Sequence, residues 1–271
     1  MDAHQLGSQL HSFLLALSLV TPRILGAFIA LPMFAREALP GGVRAAMATC
    51  LALVAVPPLM PHVGSLTAAL GVMLAIKESF LGFALGYAMT IPFWALECAA
   101  FFIDNQRGAT IGASLDPLTG NDSSELGQLF LQGFIVYVLT SGAMVGLLGA
   151  LYDSYALWPV LDWMPSFPRW AEGEWLSRLD TLTRSALLIS APVVAAMFLA
   201  ELGLALVSRF APQLQVFVLA MPIKSGLAFF VLMMYVSTLF SDAGAALRPH
   251  WGESLTFVSR AFGMHGPEAA R

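Results

Sequence analysis

The sequence predicts an all-α protein of hydrophobic, kinked helices and helical hairpins associated with a membrane. Three observations predict it. Hydrophobic residues make up 58% of the chain and charged residues 11%, less than half the roughly one-quarter charged share of a soluble domain. The mean hydropathy is +0.76, and the apolar residues gather in long runs suited to helices that cross lipid. Prolines and isolated charges stand inside those runs, at Pro22-Arg23, Lys77-Glu78, Pro92 and Glu97. A proline kinks a helix, and a charge there must face protein or water rather than lipid.

The first run covers residues 13–34; Pro22-Arg23 interrupts it and Pro32 closes it. Residues 35–44 form a loop whose Arg36 and Arg44 make it the best cytoplasmic candidate under the positive-inside rule. A second run, 45–60, ends at Pro57-Pro58, and 61–65 is a turn. Residues 66–103 read as helix throughout. At 1.5 Å per residue this is roughly 57 Å, against a hydrocarbon core of about 30 Å. The segment is therefore two helices, one helix kinked near Pro92, or a helix that leaves the membrane. On hydropathy the chain has about six spans.

Residues 101–126 differ in kind. They place Asp104, Arg107, Asp116, Asp122 and Glu125 among Gly108, Gly112, Pro117 and Gly120. Proline fixes φ, glycine supplies positive φ, and Asp, Asn and Ser bond their own backbone, so the middle of this stretch is turn chemistry. Irregular chain cannot cross lipid with its N–H and C=O groups unmet. A solvated connector is the plain reading, and a functional loop held in a pore or cavity is the alternative.

Residues 126–152 form a charge-free helix, and 153–180 mix Trp158, Trp163, Trp170 and Trp175 with prolines and charges, as at a membrane interface. Two more helices, 182–208 and 214–240, are joined by a turn holding Pro212 and Gln213. So short a turn makes them antiparallel neighbours. Glu201 and Lys224 lie about equally far from it and are expected at one depth, facing the same interior and close enough to interact. The remainder, 241–271, is polar and reads as a short helix plus a disordered end. No tandem repeat is evident.

Several function classes fall away. A net charge of −4 leaves no nucleic-acid footprint. No Ser–His–Asp set, glycine-rich phosphate loop or HExxH is present, so no enzymatic reaction is expected, and no metal or other cofactor. Cys50 and Cys98 stand in apolar runs and read as buried small hydrophobes. Met1-Asp2-Ala3-His4 puts no Lys or Arg before the first run, unlike a cleaved signal. What remains are ionisable residues in apolar sequence: Arg23, Lys77, Glu78, Glu97, Glu201 and Lys224, with Arg107 beside the central stretch. A transporter would use them for proton relay or substrate; an assembly would pair them across helices or subunits. Lys77 and Glu78 point about 100° apart and are expected to need other partners, which favours assembly.

Two motifs carry a family resemblance. One is Ser208-Arg209-Phe210-Ala211-Pro212-Gln213-Leu214-Gln215-Val216-Phe217 with Ala220-Met221-Pro222-Ile223-Lys224-Ser225. The other is Asp104-Asn105-Gln106-Arg107-Gly108 with Leu115-Asp116-Pro117-Leu118-Thr119-Gly120 and Ser123-Ser124. Together they resemble the type III secretion export-apparatus T subunit, the SctT/SpaR family with FliR as its flagellar relative, and look closer to the injectisome branch. The resemblance covers roughly residues 13–240.

It implies a subunit of a closed export gate in the bacterial inner membrane. R- and S-type gate subunits would be its partners, with the U-type switch and V-type export proteins, membrane lipid and secreted polypeptides in transit. Residues 1–180 would resemble the R-type partner, 181–241 the S-type hairpin, and 242–271 a polar tail. The loop at 111–125 would be a channel plug, carried by Ile111, Leu115, Asp116, Pro117, Leu118, Thr119, Gly120 and Asn121. The seven ionisable residues named above would serve subunit packing. A secondary transporter of a small solute, with Glu97 or Glu201 as proton carrier, is the alternative; the chain lacks the two-half symmetry common in transporters.

Overall fold

The computed structural model of the protein describes residues 3–35, 39–64, 66–108, 124–163, 171–210 and 216–262. Their regular structure is helical: α1 (Ala3–Ala30), α2 (Gly41–Ala52), α3 (Ala68–Arg107), α4 (Glu125–Thr140), α5 (Ala143–Leu157), α6 (Ala171–Phe210) and α7 (Val216–Ala261), with three short 3-10 turns between α1 and α3.

Local chemistry sets the boundaries. α1 stops at Leu31, whose ψ of 123° is the extended conformation that a following proline imposes. α5 stops in the same way: Trp158, before Pro159, has φ −137° and ψ 96°. α3 ends on Gly108 at φ +83°, the left-handed position that glycine fills without a Cβ penalty. Ser124 caps α4, its hydroxyl accepting from the Gly127 N–H.

Among the described residues four helices are long and apolar enough to cross a membrane, or five if α4 and α5 count as one broken span, against the six expected of the chain. The first reason is α2. Its 12 residues reach only about 18 Å. The second is that α3 runs as one helix of 40 residues with Pro92 inside it, where two spans were an option.

The helices form two compact units. The first comprises Met1–Thr90, Gly142–Ser177 and Arg248–Arg271; the second comprises Ile91–Ser141 and Arg178–Leu247. In the first, α1 and the front of α3 touch backbone to backbone. A Cβ on Gly82 would lie 1.9 Å from the Arg23 carbonyl oxygen, and one on Gly86 would lie 2.5 Å from that of Ala27. Gly82 and Gly86 are spaced as in the GxxxG pattern that lets membrane helices approach closely. The end of α7 packs into this unit as well: Trp251, Ser254, Phe257, Val258 and Ala261 are buried, and the Ser254 hydroxyl donates to the Ala88 carbonyl at 3.3 Å. Trp175 meets Phe257 edge to face at 4.9 Å. Residues 242–261, expected within a polar tail, thus continue α7 and bury its apolar side.

The second unit centres on aromatic rings. Phe93 meets Phe134 at 5.2 Å, and Phe240 lies 5.9 Å from both Phe130 and Phe134. Tyr235 donates to the Ile189 carbonyl at 2.7 Å, joining α7 to α6. Cys98 is half-buried but Cys50 is exposed. The burial expected of Cys50 fails because α2 covers only the stripe at Ala48 and Ala52, one turn apart.

Candidate functional site

Three groups of charges stand out, each within one unit. In the first unit Arg23 on α1 is fully buried. Its Nε donates to Glu78 Oε2 at 2.6 Å and an NH2 hydrogen to Glu78 Oε1 at 2.9 Å. The other donors go to Ser154, at its carbonyl (2.7 Å) and hydroxyl (3.3 Å), and to the Trp158 carbonyl at 2.8 Å. All five guanidinium hydrogens therefore have acceptors. Tyr155 lies under the guanidinium, 4.2 Å from its ring centroid, and donates to the Val20 carbonyl. The Lys77 ammonium donates to the carbonyls of Val160 and Asp162, each at 2.8 Å.

Lys77 and Glu78 also meet as an ion pair at 2.8 Å, although neighbours in a helix point apart. The long lysine stem swings its ammonium back onto Glu78, whose two oxygens bridge Lys77 and Arg23. One carboxylate and two cations thus fasten α1, α3 and the chain leaving α5. This cluster satisfies itself, and its chemistry is that of a rivet rather than of a proton relay.

In the second unit Asp104, 2% exposed, lies where α3 hands over to the central stretch. Its Oδ1 accepts from Arg107 Nε at 2.7 Å. Its Oδ2 accepts from the Ser124 hydroxyl and from the Leu126 N–H, the latter at 3.2 Å. Arg107 sits 5.2 Å over the Phe229 ring of α7.

The third group is Glu201 and Lys224, which pair at 2.9 Å with the lysine side chain 12% and the glutamate 50% exposed. Their contact joins α6 to α7 at a half-open surface rather than in the enclosed interior expected. Glu97 is half-buried on α3, with no hydrogen bond or ion pair given it by the described residues.

Of the residues expected to act, the structure brings together Arg23, Lys77 and Glu78, and separately Glu201 and Lys224. Ile111, Leu115, Asp116, Pro117, Leu118, Thr119, Gly120 and Asn121, with Pro212 and Gln213, lie outside the described residues. Sequence reasoning gave no site role to Ser154, Tyr155, Asp104 or Ser124. Two signals pointed that way: the i, i+3 spacing of Asp104 and Arg107, and a serine standing just before an apolar helical run. The Gly82–Gly86 spacing was a third legible signal.

The chain matches the family described as "Bacterial export proteins, family 1" over residues 14–248. It is 40% identical over 237 residues to Yop proteins translocation protein T of Yersinia pestis, covering 86% of this chain and 90% of that protein. It is 31% identical over 235 residues to the surface presentation of antigens protein SpaR of Salmonella typhimurium, covering 86% and 88%. To the flagellar biosynthetic protein FliR of Bacillus subtilis it is 30% identical over 226 residues, covering 83% and 87%.

Proposed function

Because the chain belongs to bacterial export protein family 1, the type III export-apparatus family of the T and FliR proteins, we propose that it forms part of the protein-conducting gate of that apparatus and helps to keep it closed. It is a multi-pass inner-membrane protein with a role in secretion. In this reading it assembles with R- and S-type gate subunits, beside the U-type switch and V-type export proteins. Secreted polypeptides pass by it, and it performs no reaction of its own. The apolar windows of α6 and α7 are only 17% and 11% buried within the chain, an area suited to contact with such subunits and with lipid. The relatives are named for translocation, a secretion system apparatus and flagellar biosynthesis, which weighs against a small-solute transporter.

The observation that carries the reading lies at the central stretch. The helices on its two sides, α3 and α4, are tied together at Asp104, so a turn-rich segment starts and returns at one place. A gate must stay shut to ions when idle and yet pass an unfolded chain. A loop on fixed helices can move without disturbing their packing. Ile111, Leu115 and Leu118 supply apolar groups to exclude water from a constriction. Deleting residues 114–121 tests this: the gate should assemble with its partners and conduct ions at rest. An assembled deletion mutant that stays tight returns the segment to a connector, and one that fails to assemble makes it a packing element. Replacing Pro117 and Gly120 together by alanine should give a milder leak, since the segment remains but loses its preferred turn.

A further inference from the structure

Of the ionisable residues in or beside apolar sequence, Arg23 and Lys77 meet Glu78, Arg107 meets Asp104, and Lys224 meets Glu201. Glu97 is the exception: no hydrogen bond or ion pair reaches its carboxylate from the described residues. It stands on α3 in the second unit. The core side of the helix there is Phe93, Leu96, Ala100 and Ile103, each at most 1% exposed. Glu97 lies on the flank of that stripe. It shares a face with Trp94, Cys98, Phe101 and Asn105, at the three- and four-residue spacing that makes helix neighbours, and none of these is buried. A carboxylate inside a membrane helix is costly without a counter-charge, and lipid tails offer neither a cation nor a hydrogen-bond donor.

We propose that Glu97 is the docking point for a cation on a neighbouring subunit: a membrane helix carrying Arg or Lys lies along α3 at Trp94, Glu97 and Phe101. The proposal rests on the reading of the chain as an export-gate subunit, and it names the partner's chemistry at this face. A guanidinium or ammonium paired with Glu97 comes within reach of the rings at Trp94 and Phe101, one turn to either side, and an aromatic face attracts a cation. Asn105, exposed one turn further on, adds an amide of the kind that bonds between membrane helices. Lipid would leave the carboxylate unpaired. A second copy of this chain, seated by twofold symmetry on the same face, would set one Glu97 against the other. A partner helix with a basic residue supplies what the face lacks.

The test uses the full chain produced with its gate partners, and the readout is recovery of assembled complex at equal membrane levels of the chain. Glu97→Gln keeps shape and removes only the charge; it should lower recovery about tenfold, equivalent to about 1.4 kcal/mol. Glu97→Lys sets like charges together and should lower it further. In parallel, Phe101→p-benzoylphenylalanine places a photoreactive group one turn from Glu97. It should cross-link to a gate subunit at a peptide containing Arg or Lys, and changing that residue to Glu should restore assembly of Glu97→Lys but not of the wild type. If the wild-type chain does not purify with gate subunits, the export-gate reading falls and takes the docking point with it. If the wild type assembles and Glu97→Gln assembles equally well, that reading stands and the docking point is overturned. Cross-links to lipid, to a second copy, or to a peptide without a basic residue overturn it as well. So does a Glu97→Gln chain that fails to accumulate in the membrane, which would place the need for the carboxylate within the chain itself.

Discussion

Arg23 and Glu78, 55 residues apart, meet as a pair joined by two hydrogen bonds of 2.6 and 2.9 Å with neither side chain exposed. Two parallel N–H···O bonds are the geometry in which a guanidinium suits a carboxylate best. The close approach of α1 and α3 at Gly82 brings the two side chains within reach. Burial removes water as a substitute partner, so Arg23 depends on Glu78, while Glu78 has Lys77 as a second cation.

Glu78→Gln should be strongly destabilising, by about 3–5 kcal/mol, because the buried Arg23 loses its counter-charge, and Arg23→Met should cost less, because Glu78 keeps Lys77 at 2.8 Å. The double variant Arg23→Met/Glu78→Leu should cost less than the sum of the two. Thermal midpoints of the purified complex check this, and simple additivity would mean that the residues are not coupled.

The helix contact makes a second, sharper contrast. Gly82→Ala should cost about 1–3 kcal/mol by overpacking, since its Cβ falls on the Arg23 carbonyl. Gly71→Ala, in the same helix with nothing within 4 Å, should be neutral or gain up to about 1 kcal/mol from helix propensity. Comparing the thermal midpoints of the two variants is decisive, and equal effects would remove the close contact from the account.

Glu201 and Lys224 are unequal partners. Glu201→Gln leaves a mostly buried ammonium without its counter-charge, while Lys224→Met leaves a half-exposed carboxylate that other donors can reach. The first should therefore weaken recovery of assembled complex more than the second, with a cost of up to about 3 kcal/mol. If both variants assemble as wild type does, the pair is dispensable.

Trp251 is 1% exposed, and its indole N–H has no acceptor among the described residues. Trp251→Ala should cost about 3–5 kcal/mol through the cavity it leaves. Trp251→Phe should cost clearly less, because it keeps a ring and removes a buried unsatisfied donor. Protease resistance of the C-terminal helix in the purified complex reports the difference.

The sequence by itself determined the class of this protein. A hydrophobic share of 58% against 11% charge leaves little besides helices in or near a membrane, because lipid requires backbone bonds to close within each segment. Pro32 marked the close of the first run, a limit that is local and steric, whereas the helices read as ending at 103 and 152 continue to Arg107 and Leu157. The two motifs were enough to identify the family, now matched over residues 14–248.

Only the tertiary structure decided which charges meet. Arg23 finds Glu78 and Ser154 across 55 and 131 residues, and no local pattern encodes such a separation. Lys77 and Glu78 were expected to point apart, yet a flexible side chain overrides the helical angle once burial offers each too few partners. The apolar stripe of residues 250–262 was equally hidden, because its periodicity lies under Arg, His, Glu and Ser, and its value comes from the surface it covers. Asp104 is the plainest case. Sequence marks it as a polar residue near a helix end, and only the return of the chain at Ser124 and Leu126 makes it a tie between two helices.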